Sequence, residues 1–310
     1  MQSTNTLLMV RPATFRLNEE TAVNNYYQTS DSKLKALDVN KLAQEEFDVL
    51  VEKLKEAGVQ VVLFHDDGSQ DTPDSVFPNN WVSFHENGDI ALYPMFAVNR
   101  RRERRESVIK QLEEQGFKIA DIVDYTAAED ENFFLEGTGS LVLDRINRKA
   151  YCALSPRADE ELLIEFCEDF EYTPVIFTAY QTVNGERLPI YHTNVMMCVA
   201  QKFAVICLDC IDDKKERKNV VQHLKDDGKE IISITEDQVN QFAGNMLEVL
   251  DAKGNSITVM SQSAYDSLTA QQRSGIEKYS TILSSSLTTI ETLGGGSARC
   301  MMAEVFLPKD

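Results

Sequence analysis

A repeat of about 55 residues runs along the chain, and it limits the folds open to this sequence more than any other feature. Five short segments share one pattern, in which a small or polar turn leads into apolar residues. When the segments are aligned, their central positions are Asn80, Gly139, Asn194, Asn245 and Arg299. A single unit of this size cannot cover its own apolar face, so we expect the five units to pack against one another.

Runs of β-branched and aromatic residues, which are typical of strands, flank the five segments. They precede the segments at residues 59–64, 117–123, 174–178, 230–234 and 288–292, and they follow the first four at residues 90–93, 150–154, 203–208 and 256–260. The fifth unit reaches the end of the chain before its set of strands is complete. We therefore expect the apolar run at residues 7–10 to supply the missing strand and to close a ring.

Helical patterns occupy the stretches between these runs. Apolar residues recur at spacings of three and four within residues 34–57, 101–115, 158–170, 215–224 and 263–279. Each unit therefore consists of about three strands and one helix, and the sequence predicts an α/β fold with a pseudo-fivefold repeat. Because no stretch rich in Gly, Ser or Pro divides the chain, we expect residues 1–310 to form a single domain.

Charge and composition exclude several classes of function. The formal net charge of −19 at pH 7 disfavours binding to the phosphates of nucleic acids. No apolar run approaches the roughly 20 residues of a membrane-spanning helix, and the N-terminal residues lack the pattern of a signal peptide. The six cysteines are too few for a disulfide scaffold. We expect a cytoplasmic protein with no nucleic-acid partner and no membrane partner.

In a ring of repeats the equivalent turns converge on the central axis, where side chains from different units can form one site. Three side chains near these turns make a catalytic combination: Cys300 as nucleophile, His192 as acid and base, and Glu136 as an orienting or substrate-binding carboxylate. The glycine-rich segment before Cys300 exposes backbone amides that, with the neighbouring Arg299, would stabilise a thiolate. The structural alternatives are a buried apolar cysteine and a hydrogen-bonded core histidine.

Four segments also have the form of known family motifs. They are Gly-Gly-Gly-Ser-Ala-Arg-Cys at residues 294–300, Glu-Gly-Thr-Gly at 136–139, His-Thr-Asn at 192–194 and Cys-Ala-Leu-Ser-Pro-Arg at 152–157. In this combination the chain resembles the guanidine-modifying superfamily of arginine deiminases, dimethylarginine dimethylaminohydrolases and amidinotransferases. The resemblance extends over essentially the whole chain. It implies a five-bladed α/β-propeller, the pentein fold, with no metal and no organic cofactor.

The sequence departs from the superfamily pattern at acidic positions. The acid of the Glu-Gly-Gly-Asp motif is Gly139 here, the acid of the His-x-Asp motif is Asn194, and the first turn reads Pro-Asn-Asn-Trp at residues 78–81. Carboxylates normally hold a guanidinium, whereas an amide can donate a hydrogen bond to a carbonyl oxygen. The differences therefore favour a neutral ureido substrate. Among the subfamilies, the chain is most similar to the bacterial citrulline-utilisation hydrolases.

This resemblance implies hydrolysis of citrulline to ornithine, ammonia and carbon dioxide through a covalent intermediate on Cys300. His192 is then the acid and base, and Glu136 holds the ureido NH groups. The residues expected to bind the substrate are Asn80, Asn194, Arg157, Asp74 and Arg101. Of these, Arg157 is expected at the α-carboxylate. The expected partner is a small amino-acid substrate, and a homodimer is left open.

Two alternatives use the same fold. In the first, the same residues act on a guanidino substrate, either as an arginine or methylarginine hydrolase of the deiminase type or as an amidinotransferase. In the second, the chain is a catalytically silent propeller that binds amino acids or partner molecules. Loss of the cysteine, histidine or glutamate would favour the second alternative. All three are present, so we expect an enzyme.

Overall fold

The structure is a computed structural model that describes residues 1–29 and 36–309. Along the chain the strands are β1 (Thr6–Arg11), β2 (Gln60–His65), β3 (Val82–Phe84), β4 (Ile90–Leu92), β5 (Ile122–Asp124), β6 (Val142–Asp144), β7 (Lys149–Leu154), β8 (Thr173–Thr178), β9 (Tyr180–Val183), β10 (Glu186–Pro189), β11 (Met197–Val199), β12 (Phe203–Ile206), β13 (Glu230–Ser233), β14 (Leu247–Leu250), β15 (Ser256–Ser261), β16 (Thr281–Ser285) and β17 (Ala303–Glu304).

The α-helices are α1 (Glu19–Ala22), α2 (Ala36–Glu56), α3 (Glu106–Glu114), α4 (Gly137–Ser140), α5 (Glu160–Asp169), α6 (Thr193–Met196), α7 (Lys214–Asp226), α8 (Glu236–Val239), α9 (Gln262–Ser267), α10 (Ala270–Glu277) and α11 (Thr288–Gly294). Short 3₁₀ helices lie at Pro78–Asn80, Val98–Glu103, Thr126–Glu131, Leu208–Cys210 and Ala298–Met301.

One sheet pattern recurs five times among the described strands. In each three-stranded sheet the central strand pairs antiparallel with one neighbour and parallel with the other. The five sheets are β3-β4-β5, β6-β7-β8, β11-β12-β13, β14-β15-β16 and β17-β1-β2, and a separate hairpin joins β9 to β10. The prediction of an α/β fold built from repeated three-stranded units is thus confirmed.

The N-terminal strand completes the last of these sheets. In β1, Leu7 lies opposite Glu304 of β17 in an antiparallel pair and opposite Val61 of β2 in a parallel pair. The chain therefore brings its two ends into one sheet. The prediction that residues 7–10 supply the strand missing from the fifth unit is confirmed.

Helix α5 illustrates why the helices form where the sequence predicts them. The side chain of Asp159 accepts hydrogen bonds from the backbone N–H groups of Glu161 and Leu162, and so caps the first turn. Leu162, Leu163 and Phe166 are buried on one face of the helix. Capping and one apolar face together fix both the start of the helix and its orientation.

The last unit differs from the sequence prediction. Residues 288–292, predicted as a strand, lie in α11, and the strand that precedes this helix is β16, which pairs with β15. β-Branched residues favour a strand locally, but Ile290 and Leu293 are buried about one helical turn apart in the core. Glu46 also accepts hydrogen bonds from the N–H groups of Thr289 and Ile290 at the start of the helix. Tertiary contacts here override the local preference.

Two predicted helices differ in extent, and the start of a third is not described. Residues 263–279 form α9 and α10, because Thr269 starts a second helix through a capping box with Gln272. The helix predicted at 101–115 begins at Glu106, after a 3₁₀ helix. Residues 34 and 35 of the helix predicted at 34–57 lie outside the described residues.

Hydrogen bonds link the five repeated turns to one another. The Thr138 hydroxyl donates to the Asn79 carbonyl at 3.2 Å, and the Thr193 hydroxyl donates to the Ser140 carbonyl at 2.6 Å. The next link joins Asn245 Nδ2 to the Asn194 carbonyl at 3.1 Å. Asn245 Oδ1 in turn accepts from the Arg299 N–H at 3.0 Å. The turns at residues 80, 139, 194, 245 and 299 are therefore held together, as the repeat predicts.

Within the described ranges, none of the helices has the length and apolar character needed to cross a membrane.

Candidate active site

A small cavity lies at the meeting point of these turns. Its walls include Asp74, Asn80, Arg100, Arg157, His192 and Cys300. A wider cleft elsewhere, beside His85 and Arg145, has no cysteine in its walls. The residues of the cavity come from four of the five repeated units and from the N-terminal segment. The cavity is therefore the place where the repeat concentrates chemically reactive side chains.

Cys300 lies in the 3₁₀ helix Ala298–Met301 and is almost completely buried. The side-chain amides of Asn245 and Asn194 donate to its Sγ atom at 3.2 and 3.6 Å. Donors of this kind stabilise negative charge on sulfur. The glycines before the cysteine are needed for close packing, since a Cβ atom added at Gly296 would lie 2.9 Å from the Phe77 ring.

His192 and Glu136 form a buried pair. Nε2 of His192 lies 2.7 Å from Oε2 of Glu136, and both side chains are shielded from solvent. The other carboxylate oxygen accepts from the Phe96 N–H at 3.0 Å, and Arg157 Nη1 lies 3.5 Å from Oε2. Glu136 is not among the residues that line the cavity, whereas His192 is. The carboxylate is therefore placed to orient the imidazole, and its expected contact with the ureido NH groups stays a prediction.

The charges of this pair follow from burial and from the neighbouring cations. Burial alone would raise the pKa of Glu136, but the Arg157 guanidinium and the hydrogen bond with His192 outweigh it and lower the pKa. Burial lowers the pKa of His192 to about 4, although Glu136 acts in the opposite direction. At neutral pH the pair therefore consists of a carboxylate and a neutral imidazole, whose Nε2 proton faces Glu136.

Arg157 is held in place by the N-terminal segment. Its Nε donates to Asn24 Oδ1 at 2.9 Å, and its Nη2 donates to the Thr21 carbonyl at 2.9 Å. The guanidinium also lies over the Tyr191 ring, 4.9 Å from the centroid. Arg157 is thus a buried cation on the cavity wall, and the substrate-binding role expected for it stays a prediction.

The predicted substrate-binding amides and acid leave polar atoms without partners. Among the described residues, Asp74 Oδ1, Asn80 Nδ2 and Asn194 Oδ1 are buried and have no hydrogen-bond partner. Buried polar groups are nearly always paired, so unpaired groups around a cavity indicate where a polar ligand binds. Asp74 and Asn80 line the cavity, and Asn194 contacts the sulfur of Cys300.

Gly139 has a steric reason to differ from the acid of related motifs. An added Cβ would lie 2.4 Å from Asn80 Nδ2 and 2.8 Å from His192 Nδ1. No side chain fits at this position while those two residues keep their places. The glycine lets the Asn80 amide and the His192 imidazole approach the same point of the site.

Arg101 does not reach the cavity, contrary to its expected substrate-binding role. Its Nε donates to the Met95 carbonyl at 3.1 Å and lies 3.4 Å from Glu129 Oε2. The neighbouring Arg100 is the buried arginine of the cavity wall. The 3₁₀ helix Val98–Glu103 turns successive side chains to different sides, so the basic run alone could not identify which arginine faces inward.

Sequence reasoning missed the contribution of the N-terminal segment. Thr21 and Asn24 bind Arg157, while Asn25 Nδ2 donates to the Gly294 carbonyl at 3.3 Å. No repeat or motif marks this segment, so the sequence carried no signal for it. Asn245, by contrast, occupies a repeat position, and that position was the signal for its contact with Cys300.

Comparisons with known proteins agree with this architecture. A family model described as N,N dimethylarginine dimethylhydrolase, eukaryotic, matches residues 11–307. No curated protein sequence gives a significant match.

Solved structures show the same fold at low sequence identity. The apo structure of ArgZ, an arginine dihydrolase from the ornithine–ammonia cycle in cyanobacteria, has a TM-score of 0.74 and 18% identity, and the match covers 98% of this chain and 41% of ArgZ. The N-terminal domain of ArgZ bound to substrate has a TM-score of 0.73 and 18% identity, with 97% and 99% coverage. An adduct of dimethylarginine dimethylaminohydrolase with S-methyl-L-thiocitrulline has a TM-score of 0.64 and 12% identity, with 97% and 99% coverage. The chain thus spans about two fifths of full-length ArgZ.

Proposed function

The chain belongs to the N,N-dimethylarginine dimethylhydrolase family of C–N bond hydrolases, and we propose that it hydrolyses citrulline to ornithine, ammonia and carbon dioxide. The observation that carries the proposal is the shared cavity of Cys300 and His192, with Glu136 behind the imidazole. A nucleophile, a base and a residue that orients the base are the parts of a covalent hydrolase.

The first half of the reaction forms a thioester. Nδ1 of neutral His192 takes the proton of the Cys300 thiol, and the thiolate attacks the ureido carbon. The donors from Asn245 and Asn194 stabilise the sulfur anion before attack. Collapse of the tetrahedral adduct breaks the bond to the ornithine nitrogen, which takes the proton from His192 and leaves. A carbamoyl group remains on Cys300.

The second half hydrolyses this thioester. His192, now neutral again, takes a proton from water, and the resulting hydroxide equivalent attacks the carbamoyl carbon. The C–S bond breaks, and the Cys300 sulfur takes back a proton from His192. The released carbamate decomposes to ammonia and carbon dioxide. Glu136 stays ionised throughout and stabilises the transient imidazolium.

Recognition of the substrate uses the unpaired groups of the cavity. Asp74 Oδ1 accepts from the ureido NH₂ group, and Asn80 Nδ2 donates to the ureido oxygen. Asn194 completes the polar surroundings of the sulfur. Arg157 binds the α-carboxylate at the other end of the substrate. These roles suit a neutral group that both donates and accepts hydrogen bonds.

The repeated sheets and the contacts between their turns support the assignment of a five-bladed α/β-propeller to this chain. The five sheets of one pattern and the hydrogen bonds that link their turns are what a five-bladed α/β-propeller requires. We assign residues 1–310 to one such catalytic domain.

A guanidino substrate is the second candidate, because Asp74 offers a carboxylate oxygen to the cavity and a related fold belongs to an arginine dihydrolase. The test is a screen of citrulline, arginine, methylated arginines and arginine plus glycine, with ammonia, ornithine and citrulline as measured products. The proposal predicts ornithine and ammonia from citrulline as the fastest reaction. Faster turnover of arginine or a methylarginine would replace it with guanidino hydrolysis, and amidino transfer to glycine would identify a transferase. Absence of turnover with every substrate would leave a binding module.

A further inference from the structure

Asn80 presents only one end of its amide to the cavity. Its side chain is buried, with Oδ1 2.8 Å from Nη1 of Arg100. Its Nδ2 atom has no hydrogen-bond partner among the described residues. The oxygen of this amide is therefore paired, whereas its nitrogen is available to a ligand.

The chemistry of Arg100 fixes which end faces it. A guanidinium has only donors, so an amide that meets it must present its oxygen. If the Asn80 amide were rotated by half a turn, its NH₂ group would face the Arg100 guanidinium, and these two donors would both be left unpaired in a buried site. The orientation with Nδ2 toward the cavity thus follows from the identity of residue 100.

Arg100 is itself held rigidly. Its Nε and Nη2 donate to the two oxygens of Glu103, each at 2.9 Å, and Nη2 also donates to the Phe77 carbonyl at 3.2 Å. Asp74 Oδ2 lies 3.8 Å from Nε. Both Arg100 and Glu103 are almost completely buried. The reaction steps use neither residue, yet the chain keeps this buried ion pair beside the cavity.

We propose that Arg100, held by Glu103, is a positioning residue that turns the Asn80 amide so that the site selects a ureido oxygen over a guanidinium nitrogen. The inference rests on the proposed function and adds the device that sets its specificity. The donor that it orients and His192 Nδ1 both pack against Gly139, at 2.4 and 2.8 Å from the position that a Cβ atom would take there. Asn80 also lines the same cavity as His192 and Cys300.

The two substrate classes meet this donor differently. A ureido group has an oxygen that accepts from Asn80 Nδ2, so the pairing is completed on binding. A guanidinium has only N–H groups, which leaves Asn80 Nδ2 without an acceptor. One unpaired buried donor corresponds to roughly 10- to 100-fold in kcat/KM between the two substrates.

The test measures kcat/KM for citrulline and for arginine in wild type and in the double variant Arg100→Gln with Glu103→Gln. Removing both charges avoids leaving Glu103 buried without its cation, while Asp74 keeps its hydrogen bonds from Asn18 and Thr21. Glutamine at position 100 can donate or accept, so the Asn80 amide loses its fixed orientation. We expect the ratio of citrulline to arginine kcat/KM to fall roughly 10-fold or more. Arg101→Gln, at the adjacent arginine outside the cavity, is the control and should leave the ratio unchanged.

A second variant keeps the inference testable if the double variant folds poorly. Asn80→Asp keeps the contact with Arg100 but replaces the donor with an acceptor, so the ratio should fall at least as far. If Arg100 had a purely structural role, kcat/KM would fall equally for citrulline and for arginine, and the ratio of the two values would stay constant. That result would overturn this inference and leave the proposed function standing. If wild type does not hydrolyse citrulline, the proposed function fails, and the inference fails with it.

Discussion

Nε2 of His192 lies 2.7 Å from Oε2 of Glu136, and neither side chain has appreciable contact with solvent. Because the lowered pKa keeps Glu136 ionised, the carboxylate accepts a hydrogen bond and the Nε2 atom must carry the proton. Nδ1, which approaches Gly139 beside Asn80, is then free to act as a base. In the proposed reaction, this contact selects Nδ1 as the nitrogen that takes the proton.

Replacement of Glu136 should therefore disable the imidazole without removing it. In Glu136→Gln the amide can donate to Nε2, which favours the wrong tautomer, and the negative charge that stabilises the imidazolium is lost. We expect kcat to fall by roughly 10²- to 10⁴-fold, measured as ornithine release at saturating citrulline. Glu129→Gln, at a carboxylate that pairs with Arg101 and Arg104 outside the cavity, is the matched control. Equal activities of the two variants would mean that Glu136 has no part in orienting His192.

The buried histidine should also make stability depend on pH. Burial lowers the pKa of His192 to about 4 in the folded protein, whereas an unfolded histidine titrates near 6.5. Between these values the unfolded chain binds a proton that the folded chain does not. The free energy of unfolding therefore decreases as the pH falls through this window.

Urea titrations of wild type and His192→Gln at about pH 7 and about pH 5 measure this contribution. The variant has no imidazole at this position and should lose less stability on acidification than wild type. His85, which is buried as well, is present in both proteins and cancels in the comparison. An identical loss in the two proteins would show that His192 titrates normally in the folded state.

A methyl group at Gly139 should interfere with the site. The added Cβ of Gly139→Ala would meet Asn80 Nδ2 at 2.4 Å and His192 Nδ1 at 2.8 Å, so one or both side chains must move. We expect kcat/KM for citrulline to fall by about 10²-fold or more, because displacement of reacting groups by about 1 Å has effects of this size. Gly275→Ala is the control, since its Cβ would meet only the mobile end of the Ile232 side chain. Normal activity in Gly139→Ala would place the reaction away from this glycine.

Arg157 can be tested through the substrate group that it is proposed to bind. Arg157→Lys loses the planar pair of donors, so KM for citrulline should rise by roughly 10-fold or more. N-carbamoylputrescine has the same ureido group but no α-carboxylate, and its kcat/KM should change much less in the variant. If kcat/KM fell equally for citrulline and for N-carbamoylputrescine, Arg157 would act through Glu136 and not through the α-carboxylate of the substrate.

The repeat explains how much of the fold was predictable. The regular spacing of the five segments predicted the turns. The strand and helix patterns predicted most of the other elements, because the period of the apolar residues shows which face of an element is buried. The strand predicted from the local pattern at residues 288–292 is wrong, because Ile290 has strand propensity but packs as part of a helix. Local preference cannot reveal a capping contact from Glu46, which is distant in sequence.

The site was predictable where chemistry and the repeat coincided. Cys300 and His192 stand at repeat positions, so the turns that converge bring them into one cavity. The position of Glu136 behind His192 depends on packing in three dimensions, and the choice of Arg100 over Arg101 depends on the phase of a 3₁₀ helix. Neither is encoded in residue spacing alone.

The most direct test of the account is to identify the group that citrulline leaves on the enzyme. Wild type is mixed with citrulline, quenched in acid during turnover, digested and analysed by peptide mass spectrometry, with Cys300→Ser as the control. We predict a mass increase of one carbamoyl group on the peptide containing Cys300, release of ornithine, and neither adduct nor turnover in the variant. A carbamoyl adduct on another residue, ornithine release that persists in Cys300→Ser, or an amidino adduct from arginine with none from citrulline would contradict the account.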